Sequence, residues 1–262
     1  MKSIVIFGTF AQRHILTTQH SALLPYQFAK MSTETGGSTT HLVNIFLDKN
    51  WQTHLMTKLG NDLASLTCQD ELEQKGCFVY AKQEDVPLTS ETVVRTAEHE
   101  YVLSLQDSIS SFSINDDLPL AAIAHCDYGL ITERNEKFIE VVLRRAPNVK
   151  WIFNHTFPNA NLLRSVHGVL LNESEFNVLN KGYTLELMGL MITSIGVRWM
   201  IVLMDNGDIM YYTNKADGTF PATDNYGSNE TKRNEFLLML LDKLQEKEIE
   251  EAILDFKSED LI

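Results

Sequence analysis

Apolar and polar positions alternate along the chain with two periods, one typical of strands and one typical of helices. In the first half, short apolar β-rich runs alternate with amphipathic stretches that glycine ends. The elements predicted there are a strand over Ser3–Phe7, a helix over Thr40–Lys49, a strand over Trp51–Leu59, a helix over Leu63–Lys75, and paired strands over Phe78–Tyr80 and Glu91–Leu105 with a turn at Glu98-His99-Glu100.

The second half alternates strand and helix more regularly, which predicts an α/β fold with a mainly parallel, helix-covered sheet. The predicted strands are Tyr128–Thr132, Lys150–Asn154, Gly168–Leu171 and Trp199–Leu203, and the predicted helices are Asn135–Arg145, Ser174–Leu179 and Asn229–Leu244. Ligands in such folds bind at the carboxyl ends of strands. The loops predicted to hold the site therefore follow Phe7, Leu59, Asn154 and Leu171, or precede Asn229.

Composition and charge narrow the classes of partner. The chain has 262 residues, 44% of them hydrophobic, without a repeat or a linker, so we expect one domain over residues 1–262. Thirty-five acidic against 22 basic residues give a net charge of −13. This balance argues against nucleic acid or an anionic membrane as the main partner, because both are held by clustered Lys and Arg. No apolar run approaches the roughly 20 residues of a membrane helix.

The cysteines and histidines predict no metal site. Cys68, Cys77 and Cys126 form neither a disulfide framework nor a CxxC pair, so we expect buried, reduced thiols in a cytoplasmic protein. The apolar run at the N-terminus is too short for an export signal, in agreement with that location. The eight histidines lack the HxxxH or HExxH spacing of a metal site.

Two motifs flank predicted helices and each has two interpretations. Gly36-Gly37 precedes the first helix, where a glycine pair either allows close approach of a ligand to the backbone or forms an ordinary turn. Asn172-Glu173-x-Glu175 opens a helix, where it either caps the helix or supplies oxygen ligands for Mg²⁺ near a phosphate.

A third motif runs from Asp224 to Glu230 and precedes the long helix near the C-terminus. Its glycine, Gly227, leads into a helix start whose free amide groups can hold an anion. A carboxylate beside such an anion could act as a general base toward a substrate hydroxyl. The alternative is an ordinary helix start.

Two more motifs complete this set, Lys58-x-Gly60-x-Asp62 and Gly196-Val197…Asn206-Gly207. Taken together and in this order, the motifs resemble those of the ribokinase-like family of carbohydrate and nucleoside kinases, the phosphofructokinase-B type. The resemblance covers about Ser3 to about Ala252. It implies a three-layer α/β sandwich with a mainly parallel central sheet and a small β lid from about 10–35 and 88–112. It also implies ATP and Mg²⁺ as cofactors, and a small-molecule substrate, such as a sugar, whose hydroxyl is phosphorylated.

The resemblance assigns a role to residues that match the family's motifs. The D-x-x-G-x-G-D motif falls on 224–230 and makes Glu230 the base, at a helix start that stabilises the transferred phosphoryl group. The implied catalytic residues are Glu230, Gly227, Ser228 and Asn229; the substrate-binding residues are Arg13, Gly36, Gly37 and His41; the cofactor-binding residues are Asn172, Val202 and Asp224; and the metal residue is Glu175.

Several of these positions differ from the family pattern. Glu230 replaces an aspartate, Asn229 a glycine, and Val202 the threonine that holds ATP phosphates. Arg13 replaces an acid and His41 an asparagine, which predicts an anionic ligand. The alternative is that Arg13 faces solvent or neutralises one of the acidic residues. The sequence ends soon after Ala252, where the family usually adds a wall to the adenine pocket. We therefore expect a divergent, C-terminally short member with weak or altered activity. The alternative is a catalytically silent relative that binds a small molecule or a protein partner. A homodimer through the lid is compatible with either.

Overall fold

The computed structural model describes residues 2–19, 29–36, 38–88, 90–97, 100–104, 112–132, 135–154, 160–179, 184–222, 224–227 and 230–259. The strands in these residues are β1 (Ser3–Phe7), β2 (Ala11–Thr17), β3 (Lys30–Gly36), β4 (Gln52–Leu59), β5 (Phe78–Gln83), β6 (Ser90–Arg95), β7 (Glu100–Ser104), β8 (Tyr128–Ile131), β9 (Lys150–Asn154), β10 (Gly168–Asn172), β11 (Trp199–Leu203), β12 (Asp208–Thr213) and β13 (Asp217–Pro221). The helices are α1 (Ser38–Asp48), α2 (Leu63–Gln74), α3 (Leu120–Ile123), α4 (Glu136–Arg145), α5 (Ala160–Leu163), α6 (Glu173–Leu179), α7 (Leu185–Ile195), α8 (Glu230–Lys243) and α9 (Ile249–Glu259).

The larger sheet has nine strands in the order β13-β12-β11-β10-β9-β8-β1-β4-β5. Pairing is parallel from β11 to β5 and antiparallel for the β11-β12-β13 end. Helices α1, α2, α8 and α9 pack on one face, and α3, α4, α5, α6 and α7 on the other. Strand β1 contributes Ile4 and Ile6 to one apolar layer and Val5 and Phe7 to the other. This burial on both faces explains its uninterrupted apolar run.

A second, four-stranded sheet has the order β3-β2-β6-β7. Strand β2 pairs antiparallel with β3 and parallel with β6, and β6 pairs antiparallel with β7. The fold class expected from the sequence, a mainly parallel sheet covered by helices on both faces with a small additional sheet, is confirmed.

The pairing predicted for Phe78–Tyr80 is wrong. These residues belong to β5, which pairs in parallel with β4 at the edge of the larger sheet, whereas β6 and β7 pair with each other. The connection from β4 through α2 to β5 is a strand–helix–strand unit, and such a unit returns the chain parallel to its first strand.

Most other predicted elements are found within one or two residues, but several structural elements had no counterpart in the prediction. These are helices α3, α5, α7 and α9 and the β12–β13 pair. Two glycines of the family resemblance lie at positive φ, Gly196 at the end of α7 and Gly207 between β11 and β12. Among the described residues, no helix combines the length and apolar character needed to cross a membrane.

Candidate active site

The ends of β9 and β10 meet the start of α8 around a buried arginine. Arg233 lies in the first turn of α8 and is only 2% exposed. Its Nε donates to Asn154 Oδ1 at 2.9 Å, its Nη2 to the carbonyl of Leu170 at 2.6 Å, and its Nη1 to Glu175 Oε2 at 2.7 Å. The guanidinium is therefore a fixed cation at the carboxyl end of the sheet.

The turn before α8 is packed against the end of β11. A Cβ atom on Gly227 would lie 2.7 Å from the carbonyl oxygen of Met204, so a larger residue would displace this turn. Beside it, Asn225 Nδ2 donates to the carbonyl of Asp205 at 2.8 Å, and the Asp205 amide donates to Glu173 Oε2 at 3.0 Å. These contacts place the Gly227 turn beside the start of α6, as the sequence motifs predict for a site at this edge.

The two carboxylates of the Asp224–Glu230 motif have different surroundings. Asp224 forms an ion pair with Lys232 at 2.6 Å, and Lys232 also lies 3.3 Å from Glu235. Glu230 is the exposed first residue of α8. Burial lowers the pKa of Arg233, while the charges of Glu175 and Glu230 oppose that shift. Ser228 and Asn229 lie outside the described residues.

Asn172 and Glu175 cap α6. Asn172 Oδ1 accepts from the Glu175 amide at 2.8 Å, and Glu175 Oε2 accepts from the Asn172 amide at 2.9 Å. This reciprocal pair is a capping box, with asparagine as the cap. The same Oε2 atom also accepts from Arg233. The capping role is thus present, and a cation already sits against the predicted metal residue. The residues at Glu175 therefore do not fit Mg²⁺.

Val202 was expected at the nucleotide phosphates because it replaces a threonine. Its side chain is completely buried in the apolar layer on the α4 and α7 face of the sheet. At the fourth of the five positions of β11 this side chain is not exposed to a ligand, and a cofactor-binding role for Val202 stays a prediction.

His41 links α1 to α8. Its Nδ1 lies 3.1 Å from Nδ2 of Asn234, the residue after Arg233. Asn234 is completely buried, and its Oδ1 atom has no hydrogen-bond partner in the described part of the chain. The predicted substrate residue His41 is therefore joined to the same helix turn as Arg233.

Arg13 and Gly36 lie together on the small sheet. A Cβ atom on Gly36 would lie 2.7 Å from that of Arg13, so the absence of a side chain accommodates the arginine. Arg13 Nε and Nη2 donate to Glu91 Oε2 at 3.2 and 3.0 Å across the β2–β6 pair. The Thr40 hydroxyl donates to the Gly36 carbonyl at 2.7 Å, which ties β3 to α1. Gly37 lies outside the described residues.

The Lys58-x-Gly60-x-Asp62 motif holds the chain that leads into β6. Asp62 Oδ1 accepts from the Ser65 amide and caps α2, and its Oδ2 accepts from the Leu88 amide, both at 3.0 Å. A Cβ atom on Gly60 would lie 2.3 Å from the Val86 carbonyl oxygen. These residues fix the larger sheet to the small one.

Lys58 belongs to a buried charge network. It is 2% exposed and lies 2.8 Å from Glu84 and 2.9 Å from Asp116, which also contacts Lys82. Burial opposes ionisation of Asp116, but hydrogen bonds from Lys82, the Ser113 amide and Lys58 outweigh it and lower its pKa to about 2. The network fastens the 112–116 segment to the ends of β4 and β5.

Sequence reasoning missed Arg233 and Asn154. A signal for Arg233 was present, because it precedes Phe236 and Leu237 by three and four residues and so shares the buried face of the helix. No local pattern marks Asn154 as its partner.

The sequence matches no protein-family model and no curated protein. Solved structures are similar over nearly the whole chain. Ribokinase from Thermotoga maritima has a TM-score of 0.76 at 17% identity, covering 97% of this chain and 89% of that one. Ribokinase from Arabidopsis thaliana, complexed with ribose and ATP, has a TM-score of 0.70 at 16% identity, covering 96% and 89%. Fructokinase from Xylella fastidiosa has a TM-score of 0.73 at 15% identity, covering 98% and 87%. The protein has the ribokinase-like carbohydrate kinase fold.

Proposed function

We propose that the protein is an ATP-dependent carbohydrate kinase that phosphorylates a hydroxyl of a sugar or a related small molecule. The observation that carries this proposal is the Gly227 turn and the start of α8, packed at the carboxyl end of the sheet in a fold shared with ribokinases and a fructokinase. The Arabidopsis ribokinase structure contains both ribose and ATP.

The chemistry assigned to this chain is proton transfer and charge stabilisation. ATP, when bound, supplies the phosphoryl group. Glu230 accepts the proton of the sugar hydroxyl. The oxygen of that hydroxyl forms the new bond to the γ-phosphorus, while the bond from this phosphorus to ADP breaks. The positive end of the α8 dipole, with Lys232 and Arg233 in the first turn, favours the negative charge of the transferred group.

We expect this activity to be weak. Glutamate at position 230 extends the carboxylate by about 1.5 Å relative to aspartate, and a misplacement of about 1 Å can cost roughly a hundredfold in rate. Val202 supplies no hydroxyl, and Glu175 already faces Arg233. We propose a dissociation constant for nucleotide above roughly 100 µM. A clear rise in melting temperature with about 0.1 mM Mg·ATP would overturn that value.

A catalytically silent, ligand-binding role is the second candidate, and the Arg233–Glu175 pair favours it, because it commits the predicted metal residue to an internal contact. ADP formation over a panel of sugars separates the two roles. A sugar that raises the melting temperature without ADP formation identifies a silent binder. Sugar-dependent ADP formation identifies a kinase.

The base is tested on α8 itself. Glu230→Gln should remove turnover in a folded protein, and Glu230→Asp should raise it by shortening the side chain. Glu235→Gln changes a nearby, half-buried carboxylate of the same helix; it is the matched control and should retain activity. Unchanged turnover in Glu230→Gln would place the base elsewhere.

Arg13 supports a ligand that carries a carboxylate or a phosphate, since its guanidinium can bind such groups through two hydrogen bonds. Its contact with Glu91 means that an anion has to compete with that carboxylate. Sugar phosphates and sugar acids should stabilise the protein against heat more than their neutral parent sugars, and Arg13→Ala should abolish the difference. Equal stabilisation by the neutral sugars would end the proposal.

We further propose that the small sheet serves as the lid over the substrate and as the surface through which two copies associate. Hydrogen exchange of β2 and β6 should slow when a sugar binds, and light scattering should give twice the mass of one chain. Met31 on β3 is 67% exposed, so Met31→Asp should yield a single-chain mass. A single-chain mass for the unmodified protein would refute the association.

A further inference from the structure

Three potential metal ligands lie together at the amino ends of the parallel strands, whereas the candidate active site lies at their carboxyl ends. His54 is the third residue of β4, and His125 and Cys126 lie in the turn between α3 and β8. One ligand atom of each residue lies within 4.8 Å of the other two. These residues lie near or just before the amino ends of β4 and β8. Because both strands run parallel to β1, these amino ends lie on the same side of the sheet.

His54 brings a buried ring nitrogen without a partner among the described residues to this cluster. The residue is 2% exposed, and its buried Nε2 has no hydrogen-bond partner in the described residues. Its ring stacks on Phe78 at 4.9 Å and lies parallel to the ring of Tyr80, whose hydroxyl is 3.5 Å from Nδ1. A buried nitrogen without a partner is rare in native proteins, so this one calls for an explanation.

We propose that His54, His125 and Cys126 bind a zinc ion. Imidazole and thiolate groups are the ligands that Zn²⁺ prefers, whereas Mg²⁺ and Ca²⁺ prefer oxygen ligands. Zinc bonds of about 2.0–2.3 Å in a tetrahedron separate the ligand atoms by about 3.3–3.6 Å. The 4.8 Å cluster therefore has to close by about 1 Å. His125 is exposed, so its ring can turn inward, and water fills the fourth position.

The neighbours of His54 suit this role. If Nδ1 donates its hydrogen to the Tyr80 hydroxyl, the lone pair of Nε2 faces the metal, which is the usual arrangement of a metal-binding histidine. The stacked rings of Phe78 and Tyr80 fix the imidazole plane. The ion would connect β4 to the turn before β8, and it does not depend on the proposed kinase activity.

The test uses the full chain, first stripped of metal with a chelator. We expect one Zn²⁺ per chain, and a Co²⁺ form with the near-ultraviolet absorption of a thiolate–cobalt bond. Cys126→Ser should lose that absorption, and His125→Ala should weaken Zn²⁺ binding at least about tenfold. Cys68→Ser and His14→Ala, a buried cysteine and a histidine outside the cluster, are the matched controls and should retain both properties.

Binding of no zinc, or wild-type absorption and affinity in Cys126→Ser and His125→Ala, would overturn the site. Circular dichroism checks the fold of each variant. Should Cys126→Ser not fold, His125→Ala decides, since an exposed side chain is removed without loss of core packing.

Discussion

Replacing Arg233 by methionine removes the buried cation that joins three parts of the candidate site. Methionine retains the apolar stem but removes the donor to Asn154 Oδ1, to the Leu170 carbonyl and to Glu175 Oε2, which keeps only its bond from the Asn172 amide among those described above. Removal of one partner of a buried ion pair typically costs about 3–5 kcal/mol, because the remaining charge is uncompensated. We expect a loss of that size in the free energy of unfolding.

Urea unfolding followed by circular dichroism measures this loss. With a denaturant slope of about 3 kcal/mol/M, the midpoint for Arg233→Met should fall by about 1 M or more. The matched control is Lys232→Met, the preceding residue, whose ion pair with Asp224 is 2.6 Å long but lies at the surface. Its midpoint should stay near that of the unmodified protein, since surface pairs contribute little.

The double variant Arg233→Met with Glu175→Gln identifies the source of the loss. Removing the uncompensated carboxylate should recover part of the stability, as expected for residues in contact. A loss below about 1 kcal/mol in Arg233→Met, or a double variant no more stable than the single one, would refute the reasoning.

Three further changes test other contacts. Burial and two nearby cations lower the pKa of His167 from 6.5 to about 4, so protons favour the unfolded chain and stability should fall as the pH drops through that interval. His167→Gln should flatten this dependence in urea unfolding, and an unchanged slope would contradict the assignment. Asp62→Ala loses the cap of α2 and the bond from Leu88, and should cost about 1–2 kcal/mol by the same assay. An effect no larger than that of Asp70→Ala, on the exposed side of α2, would disprove this role. Glu91→Gln should release Arg13 and increase the thermal stabilisation by sugar acids, and no increase would show that Glu91 does not compete.

The fold was predictable because its central strands are buried on both faces. Continuous apolar runs such as Ser3–Phe7 can be interpreted only as buried strands. The helices between them have capping residues or end at glycines. Helix α9 escaped prediction because its acidic residues dominate the composition, while Ala252, Ile253 and Phe256 provide an apolar stripe that α8 helps to bury. The short β12–β13 pair has no strong alternation of exposed and buried positions.

The candidate site was predictable only where its motifs are local. The Gly227 turn and the Asn172–Glu175 cap could be recognised because their residues are neighbours in sequence. Arg233 contacts Glu175 from 58 residues away and Asn154 from 79, a pairing that one sequence does not reveal. The ligand atoms of the His54 cluster likewise come from separate segments.

The position of Arg233 also affects whether a divalent ion can bind at Glu175. A cation that binds Glu175 would have to displace a guanidinium that also holds Asn154 and Leu170, and two cations at one carboxylate repel each other. Stabilisation of the unmodified protein by ATP should therefore be the same with and without Mg²⁺. In Arg233→Met the freed carboxylate becomes available, so the same thermal measurement should show stronger stabilisation by ATP when Mg²⁺ is present. A marked Mg²⁺ dependence in the unmodified protein would mean that the ion binds elsewhere or that Arg233 moves aside.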